Sequence, residues 1–100
     1  MTLLQNYSHQ LEELCLTNKV KSLFAFGSVT TNAFNSESDI DLIVDIADKD
    51  PLSYSVNYFN LKDQLERLFN RKVDLLEQKA IKNPEFKAII DQTKVLIYGK

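Results

Sequence analysis

Cysteine is almost absent from this 100-residue sequence, since Cys15 is its single example. One cysteine can form neither an internal disulfide nor a cysteine metal site, which predicts a protein of a reducing compartment, the cytoplasm. The sequence also lacks an apolar run of the roughly 20 residues that a membrane-spanning helix needs. Its N-terminus has neither the basic start nor the small-residue cleavage site of a signal peptide. We therefore expect no association with a membrane.

Arginine is also scarce, with Arg67 and Arg71 as the two examples, and the net charge is −2. A dedicated nucleic-acid-binding protein normally carries a basic face, so we expect no direct binding of nucleic acid. The apolar content of 44% and the charged content of 26% are ordinary for a globular protein. A chain of this length has room for one hydrophobic core, and we predict a single domain over residues 1–100.

Hydrophobic periodicity predicts helices and strands that alternate along the chain. Helices are expected at 2–18, at 51–70 and from 84 onward, with one or two helical turns at 28–33. Strands are expected at 20–26, 39–46 and 72–77. The tail at 95–98 is expected to form a closing strand, with continuation of the last helix as the alternative. Such alternation implies a sheet covered by helices.

Several residues are predicted to begin these helices or to face the core. Thr2, with Gln5 as its partner, and Asp50 before Pro51 are expected N-caps, and Asn83-Pro84 repeats the second signal. The apolar faces are predicted to be Leu4, Tyr7, Leu11, Leu14 and Cys15 in the first helix, Phe59, Leu61, Leu65, Leu68 and Phe69 in the long helix, and Phe86, Ile89 and Ile90 in the last.

Two carboxylates open the second predicted strand, where one residue separates Asp39 from Asp41. Because side chains alternate along a strand, both carboxylates are expected on one face and apolar residues on the other. Like charges held side by side repel each other, and a divalent cation with oxygen ligands relieves that repulsion. Upstream, Gly27-Ser28 ends the first strand and can offer backbone N–H groups and a hydroxyl to a phosphate. Together these features favour phosphoryl or nucleotidyl transfer over the alternative, an ordinary strand with acids on its exposed face.

A third carboxylate, Asp74, lies in the predicted strand 72–77, where Val73 and Leu75 are expected to face the core. By itself it would indicate only an acid on the outer face of a strand. Beside the first pair it could complete a set of metal ligands or act as a general base toward an attacking hydroxyl. This site requires the Gly27 corner to lie close to the start of the second strand, which is an inference about topology.

Three segments of the sequence together resemble the minimal nucleotidyltransferases of the polymerase-beta-like superfamily. They are Gly27-Ser28, the stretch from 38 to 42 and the later stretch from 73 to 75. The resemblance covers essentially the whole chain. It implies an α/β (α+β) nucleotidyltransferase fold, with a small mixed β-sheet of three to four strands flanked by helices.

The resemblance also implies a role for each residue of the motif. Gly27 and Ser28 would bind the nucleotide, and Asp39, Asp41 and Asp74 would be the catalytic residues and the ligands of Mg²⁺, of which two ions are expected. The implied reaction transfers AMP from ATP to a hydroxyl and releases pyrophosphate.

Many minimal members of this family look like antitoxins that bind a HEPN-domain ribonuclease toxin and can adenylylate it on tyrosine. The resemblance therefore implies such a toxin as the partner and acceptor, in a hetero-oligomer. The alternative is a catalytically weak binding module that neutralises the toxin by complex formation. A difference from the family favours this alternative modestly: the family often has two basic residues and a glycine after Gly-Ser, whereas this sequence has Val29, Thr31 and Asn32. Transfer to a small molecule or to RNA is less favoured, because no acceptor domain or basic surface is visible.

Overall fold

Four strands and four α-helices make up the computed structural model of the chain, which describes residues 2–31, 34–35 and 37–99. The strands are β1 (Val20–Phe26), β2 (Ile40–Ile46), β3 (Val73–Glu77) and β4 (Val95–Gly99). The helices are α1 (Thr2–Asn6), α2 (Ser8–Thr17), α3 (Pro51–Phe69) and α4 (Pro84–Thr93), and short 3-10 turns occupy Gly27–Thr30 and Gln78–Ala80. The predicted alternation of helices and strands is confirmed.

The strands form one mixed sheet in the order β3-β2-β1-β4. β1 is antiparallel to both β2 and β4, whereas β2 and β3 are parallel. A parallel pair needs a long crossover, and α3 supplies it between β2 and β3. The small mixed sheet flanked by helices that the family resemblance implied is therefore confirmed.

The main core lies between one face of this sheet and the helices α2 and α3. Alternate residues of β2 are fully buried on that face, namely Ile40, Leu42, Val44 and Ile46. Leu11 and Cys15 from α2 and Leu61 and Leu65 from α3 pack in the same cluster. Burial raises the pKa of the Cys15 thiol to about 12, so this thiol is neutral at physiological pH and packs as a small apolar side chain.

The opposite face of the sheet carries α4. The ring of Phe86 contacts the ring of Phe26 edge-on, with 6.5 Å between centroids. At the other end of the helix, Lys94 Nζ lies 4.3 Å from the centre of the Phe24 ring. Phe24 and Phe26 alternate with the core residues of β1, so their side chains lie on the face of the sheet opposite the main core.

Polar side chains begin the two helices that start with proline. The Asp50 carboxylate accepts a hydrogen bond from the Ser53 N–H at 3.4 Å. The Asn83 side-chain oxygen accepts hydrogen bonds from the N–H groups of Glu85 and Phe86 at 2.9 and 3.1 Å. Both predicted N-caps are therefore confirmed, and in each case the proline occupies the first helical position, where no N–H is needed.

The N-terminal part of the chain differs from the prediction of one helix over 2–18. Tyr7 leaves helical geometry, with φ −114° and ψ 21°, and separates α1 from α2. Its ring packs edge-on against Phe69 at 5.5 Å between centroids, so the apolar face is kept although the helix is broken. The N-cap predicted at Thr2 depends on a side chain outside the described part of the structure. The strand predicted from Asp39 begins one residue later, at Ile40.

Three residues that were predicted to face the core are exposed instead. Phe59 is 65% exposed, Ile89 is 60% exposed and Phe86 is 40% exposed. In α3 the buried stripe runs through Leu61 and Leu65, and a residue two positions before Leu61 points about 200° away on a helix of 3.6 residues per turn. In α4, Ile90 is the one buried residue, because this short helix packs against the sheet along one of its sides.

No helix in the described ranges combines the length and the apolar character that a bilayer-spanning segment requires. The longest of them, α3, has 19 residues and carries charged side chains such as Lys62, Asp63 and Arg67 along its outer surface. Asp63 and Arg67 form an exposed ion pair at 3.1 Å.

Two truncations within α3 test this assignment of buried and exposed faces. We expect Leu65→Ala to lower the free energy of unfolding by about 2–5 kcal/mol, because it leaves a cavity in the core. Phe59→Ala should cost less than about 1 kcal/mol, because most of that ring is already in water. Urea unfolding of both variants measures the difference, and equal losses would contradict the observed orientation of α3.

Candidate active site

The parallel pairing of β2 and β3 brings together two of the three carboxylates that the sequence singled out. Asp41 lies directly opposite Asp74 in the register of the two strands. On the other side of β2, Asp41 lies opposite Phe26, the last residue of β1. The strand pairing therefore places Asp41 between Asp74 and the Gly27 turn. The predicted site required this proximity of the Gly27 turn to the start of the second strand.

The backbone of Gly27 lies close to the carboxylate of Asp41. Its φ of +72° lies in the left-handed region, and a Cβ atom added there would lie 2.5 Å from Asp41 Oδ2. The positive φ favours glycine at this position, and a side chain there would also displace the Asp41 carboxylate. The Gly-Ser turn is thus held directly against the carboxylate, which explains physically why a glycine ends β1.

The electrostatics of Asp41 reflect its acidic surroundings. Burial raises the pKa of the Asp41 carboxyl above its usual value, and the charge of Asp74, a hydrogen bond with Asp74 and the charge of Asp39 raise it further. Lys72 Nζ lies 3.8 Å from Asp74 Oδ1, but these side chains are 65% and 45% exposed, so solvent screens the pair. The site therefore holds more negative charge than its own cations neutralise.

Asp39 lies in the loop just before β2 and is exposed, yet it is close enough for its charge to act on Asp41. Among the described residues, no three His, Cys, Asp or Glu side chains are already arranged to hold a metal ion. The donor set nevertheless fits Mg²⁺, because carboxylate oxygens are its preferred ligands and the acids around Asp41 repel one another. A bound cation would reduce the repulsion among these carboxylates, which contributes to the raised pKa of Asp41.

The turn after Gly27 is tightened by its own threonines. Thr30 Oγ1 donates to the Gly27 carbonyl at 2.8 Å, and Thr31 Oγ1 donates to the Ser28 carbonyl at 3.0 Å. Val29 is buried and belongs to the core cluster. The predicted helical turns at 28–33 are confirmed in part, as a 3-10 turn over Gly27–Thr30, while residues 32 and 33 lie outside the described part of the chain.

Arg71 is a residue of this region that the sequence analysis did not identify. Its Nη1 atom donates to the carbonyls of Asn35 and Ser38 at 3.0 and 3.1 Å. Its guanidinium carbon also lies 4.7 Å from the centre of the Phe34 ring. Arg71 thus fastens the loop that leads to Asp39 onto the turn that leads to β3. The sequence singles out Arg71 only as one of two arginines. This scarcity does not indicate that its hydrogen-bond acceptors, the carbonyls of Asn35 and Ser38, lie 36 and 33 residues away in the chain.

Comparison with known proteins adds a sequence relative and two structural ones. A Methanocaldococcus jannaschii protein that is provisionally named a protein adenylyltransferase is 37% identical over 79 residues, which are 79% of this chain and 78% of the relative. A chain of a toxin-antitoxin crystal structure with AMP-PNP aligns with a TM-score of 0.70 at 21% identity, over 93% of this chain and 73% of that chain. A chain of a complex between the tri-AMPylated Shewanella oneidensis HEPN toxin and an MNT antitoxin aligns with a TM-score of 0.65 at 20% identity, over 97% of this chain and 73% of that one.

The two structural likenesses establish the fold. The assignment to a family comes from the sequence, because residues 9–100 match the family described as Polymerase beta, Nucleotidyltransferase. That match includes the Gly27 turn and all three carboxylates, which the structure brings to one end of the sheet. The chain therefore belongs to the polymerase beta nucleotidyltransferase family.

Proposed function

We propose that this protein transfers AMP from ATP to a hydroxyl group of a protein partner, a tyrosine of a HEPN-domain toxin, and thereby acts as its antitoxin. The observation that carries the proposal is the arrangement around Asp41. This carboxylate lies in register with Asp74 and within contact distance of the turn at Gly27, whose positive φ favours glycine. Phosphoryl transfer needs little covalent help from a protein and depends on positioned charge, which this arrangement supplies.

The choice of donor, acceptor and partner is supported by the relatives. The archaeal relative is named for protein adenylyl transfer, and the two structural relatives come from toxin-antitoxin complexes, one with AMP-PNP and one with an AMPylated HEPN toxin. We extend these properties to this chain as part of the proposal. We also propose that residues 1–100 work as a single nucleotidyltransferase domain in the cytoplasm, where ATP and a reduced thiol at Cys15 are both maintained.

The proposed reaction is an in-line displacement at the α-phosphorus of ATP. The acceptor oxygen forms a bond to that phosphorus while the bond from phosphorus to the bridging oxygen of the β-phosphate breaks. Pyrophosphate leaves with the electron pair of the broken bond, and the acceptor hydroxyl gives up its proton. As general base, Asp74 would take that proton and pass it to solvent, a role supported by its partly exposed side chain beside Asp41.

The other residues of the site bind and orient the nucleotide. Gly27 and Ser28 would contact the β- and γ-phosphates, since their turn lies directly against Asp41. Asp39 and Asp41, with Asp74 as a further ligand, would hold Mg²⁺, with two ions expected. When bound, Mg²⁺ would supply the positive charge that stabilises the phosphates as negative charge develops on the leaving pyrophosphate.

A second candidate function is favoured by one specific observation. Val29, at the position after Gly-Ser where the family often has a basic residue, is buried in the core and cannot contact a phosphate. The triphosphate would then be held by fewer cations, and the protein could neutralise its toxin by complex formation with little or no catalysis. This binding module would keep its protective effect after the carboxylates are removed, which separates the two candidates.

The first prediction concerns Asp41→Asn, which keeps the size of the side chain and removes its charge. We expect a loss of AMP transfer by at least about 100-fold, the scale on which a positioned electrostatic group acts in catalysis. The measurement is the intact mass of a co-expressed HEPN partner after incubation with ATP and Mg²⁺. Asp63→Asn, on the outer surface of α3, is the matched control and should leave transfer unchanged. Equal transfer by the Asp41 variant would refute the mechanism, and no transfer by any form, with a stable complex, would favour the binding module.

A second prediction follows from the raised pKa of Asp41. The pKa of the Asp41 carboxyl is higher in the folded state than in the unfolded state, so the folded state binds the carboxyl proton more tightly. The stability that this protonation contributes is lost as the pH rises through the raised pKa. At neutral pH the charged carboxylate therefore destabilises the fold. We expect Asp41→Asn to melt at a higher temperature than the wild type at pH 7 without Mg²⁺. The difference should shrink as the pH falls through the raised folded pKa and should be lost below about 4, where the carboxyl is protonated in both the folded and the unfolded state.

Thermal unfolding of both forms at several pH values, with and without Mg²⁺, measures this effect. Mg²⁺ should raise the melting temperature of the wild type and have less effect on Asp41→Asn, because ligand binding to the folded state stabilises it. A variant less stable than the wild type at pH 7 would show that the Asp41 charge is compensated within the protein.

A third prediction concerns Arg71→Met, which keeps an unbranched apolar stem and removes the guanidinium with its hydrogen bonds and its contact with the Phe34 ring. We expect transfer to fall about tenfold, because the loop that positions Asp39 would lose its attachment to the turn before β3 and reaction geometry is sensitive to small displacements. Arg67→Met on α3 is the control, because the Arg67 side chain is exposed and forms an ion pair with the exposed Asp63. Mass measurement of the partner gives the rate, and an unchanged rate in Arg71→Met would rule out a positioning role.

A further inference from the structure

An apolar cavity opens on the sheet face that carries the carboxylates. Its volume is about 330 Å³, and Leu76, Ile81 and Phe86 are among the residues that line it. Phe86 is 40% exposed although it packs against Phe26, so part of its ring remains available for contact. The proposed reaction as described so far uses none of these residues.

The cavity adjoins Asp74 on the same strand. Leu76 follows Asp74 by two residues in β3, so both side chains point from the same face of the sheet and lie about 7 Å apart. That separation suits one side chain whose apolar body lies against Leu76 and whose hydroxyl reaches Asp74. A serine or threonine hydroxyl is too close to its own backbone to span the two positions.

The direction of in-line attack indicates which substrate this cavity would bind. The attacking oxygen and the leaving pyrophosphate occupy opposite sides of the reacting phosphorus. The Gly27-Ser28 turn, assigned to the leaving phosphates, lies on the β1 side of Asp41, and Asp74 lies on the β3 side. The acceptor hydroxyl must then arrive from the β3 side, where the cavity lies.

We propose that the cavity formed by Leu76, Ile81 and Phe86 binds the phenol ring of the acceptor tyrosine and thereby directs transfer to an aromatic hydroxyl. This inference rests on the proposed function and identifies the acceptor subsite within it. Phe86 offers its exposed ring to the phenol, and aromatic pairs of this kind favour edge-to-face or offset contacts. Phe86 is then a specificity-determining residue.

The lining is less suited to the adenine of ATP. An adenine ring carries hydrogen-bond donors and acceptors around its edge, and these lose affinity when they are buried without partners. The polar side chains of the lining are Glu77, Lys82 and Asn83, and the side-chain oxygen of Asn83 already accepts hydrogen bonds from the N–H groups of Glu85 and Phe86 at the start of α4. The apolar part of the surface therefore fits a phenol better than a purine.

The test measures ring binding directly, so that it does not depend on turnover. N-acetyl-tyrosinamide is titrated into isotope-labelled protein with Mg²⁺ and AMP-PNP, and the amide resonances of Leu76, Ile81 and Phe86 are followed. We expect saturable shifts at these residues, affinity about tenfold weaker in Phe86→Ala, and an intermediate affinity in Phe86→Leu, since one lost aromatic contact is worth about a factor of ten. N-acetyl-serinamide should give no saturable shift.

Ile89→Ala is the matched control, because Ile89 is 60% exposed on the same helix and does not line the cavity. Its affinity for the tyrosine probe should stay within about twofold of the wild type. Thermal unfolding shows whether each variant is folded, and Phe86→Leu, which keeps an apolar side chain, preserves the test if Phe86→Ala unfolds. Equal affinity of wild type, Phe86→Leu and Phe86→Ala would overturn the proposal.

Two further outcomes are distinct. If AMP-PNP alone shifts the three resonances and Phe86→Leu weakens AMP-PNP instead of the tyrosine probe, the cavity binds the nucleobase and the proposal is wrong. If the tyrosine probe binds as expected but the wild type adds no AMP to its partner, the ring site stands and the proposed enzymatic function fails. In a transfer assay that works, Phe86→Ala should raise the KM for the protein acceptor about tenfold and leave the KM for ATP within about twofold.

Discussion

The repulsion between Asp41 and its acidic neighbours is the physical constraint on which the site depends. Parallel pairing of β2 with β3 places Asp41 opposite Asp74. Burial and the neighbouring negative charges disfavour the ionised form of Asp41, so the pKa of its carboxyl is raised. A fold selected for stability alone would not place two acids in register on neighbouring strands. In the proposed function, this unfavourable charge lets the site bind a cation and, through the cation, a triphosphate.

The apolar side of the sheet makes this arrangement possible. Every second residue of β2 from Ile40 to Ile46 is buried against α2 and α3, so the strand that carries Asp41 cannot shift its register without exposing its core face. The crossover helix α3 then returns the chain to β3, next to β2. Tight packing on one face thus holds the repelling carboxylates in place on the other.

The site also has two chemically different sides. On the β1 side, the backbone of Gly27 comes so close to Asp41 that a Cβ atom there would displace the carboxylate oxygen. On the β3 side, Asp74 adjoins an apolar cavity that includes Phe86. This polarity matches a displacement in which a charged group leaves in one direction and a partly apolar acceptor arrives from the other. Arg71 joins the loop before Asp39 to the turn before β3 and so connects the two strands that carry the acids.

The sequence by itself determined the features that depend on near neighbours along the chain. The alternation of β2, the proline-started helices after Asp50 and Asn83, and the family motif could all be predicted, because strand period and capping act over a few residues. Tertiary structure decided what depends on distant partners: the register of Asp41 with Asp74, the hold of Arg71 on the loop before Asp39, and the exposure of Phe59 and Phe86. An apolar residue on a helix can point to a core or to a ligand with the same local pattern, and only the packing of the whole chain determines which.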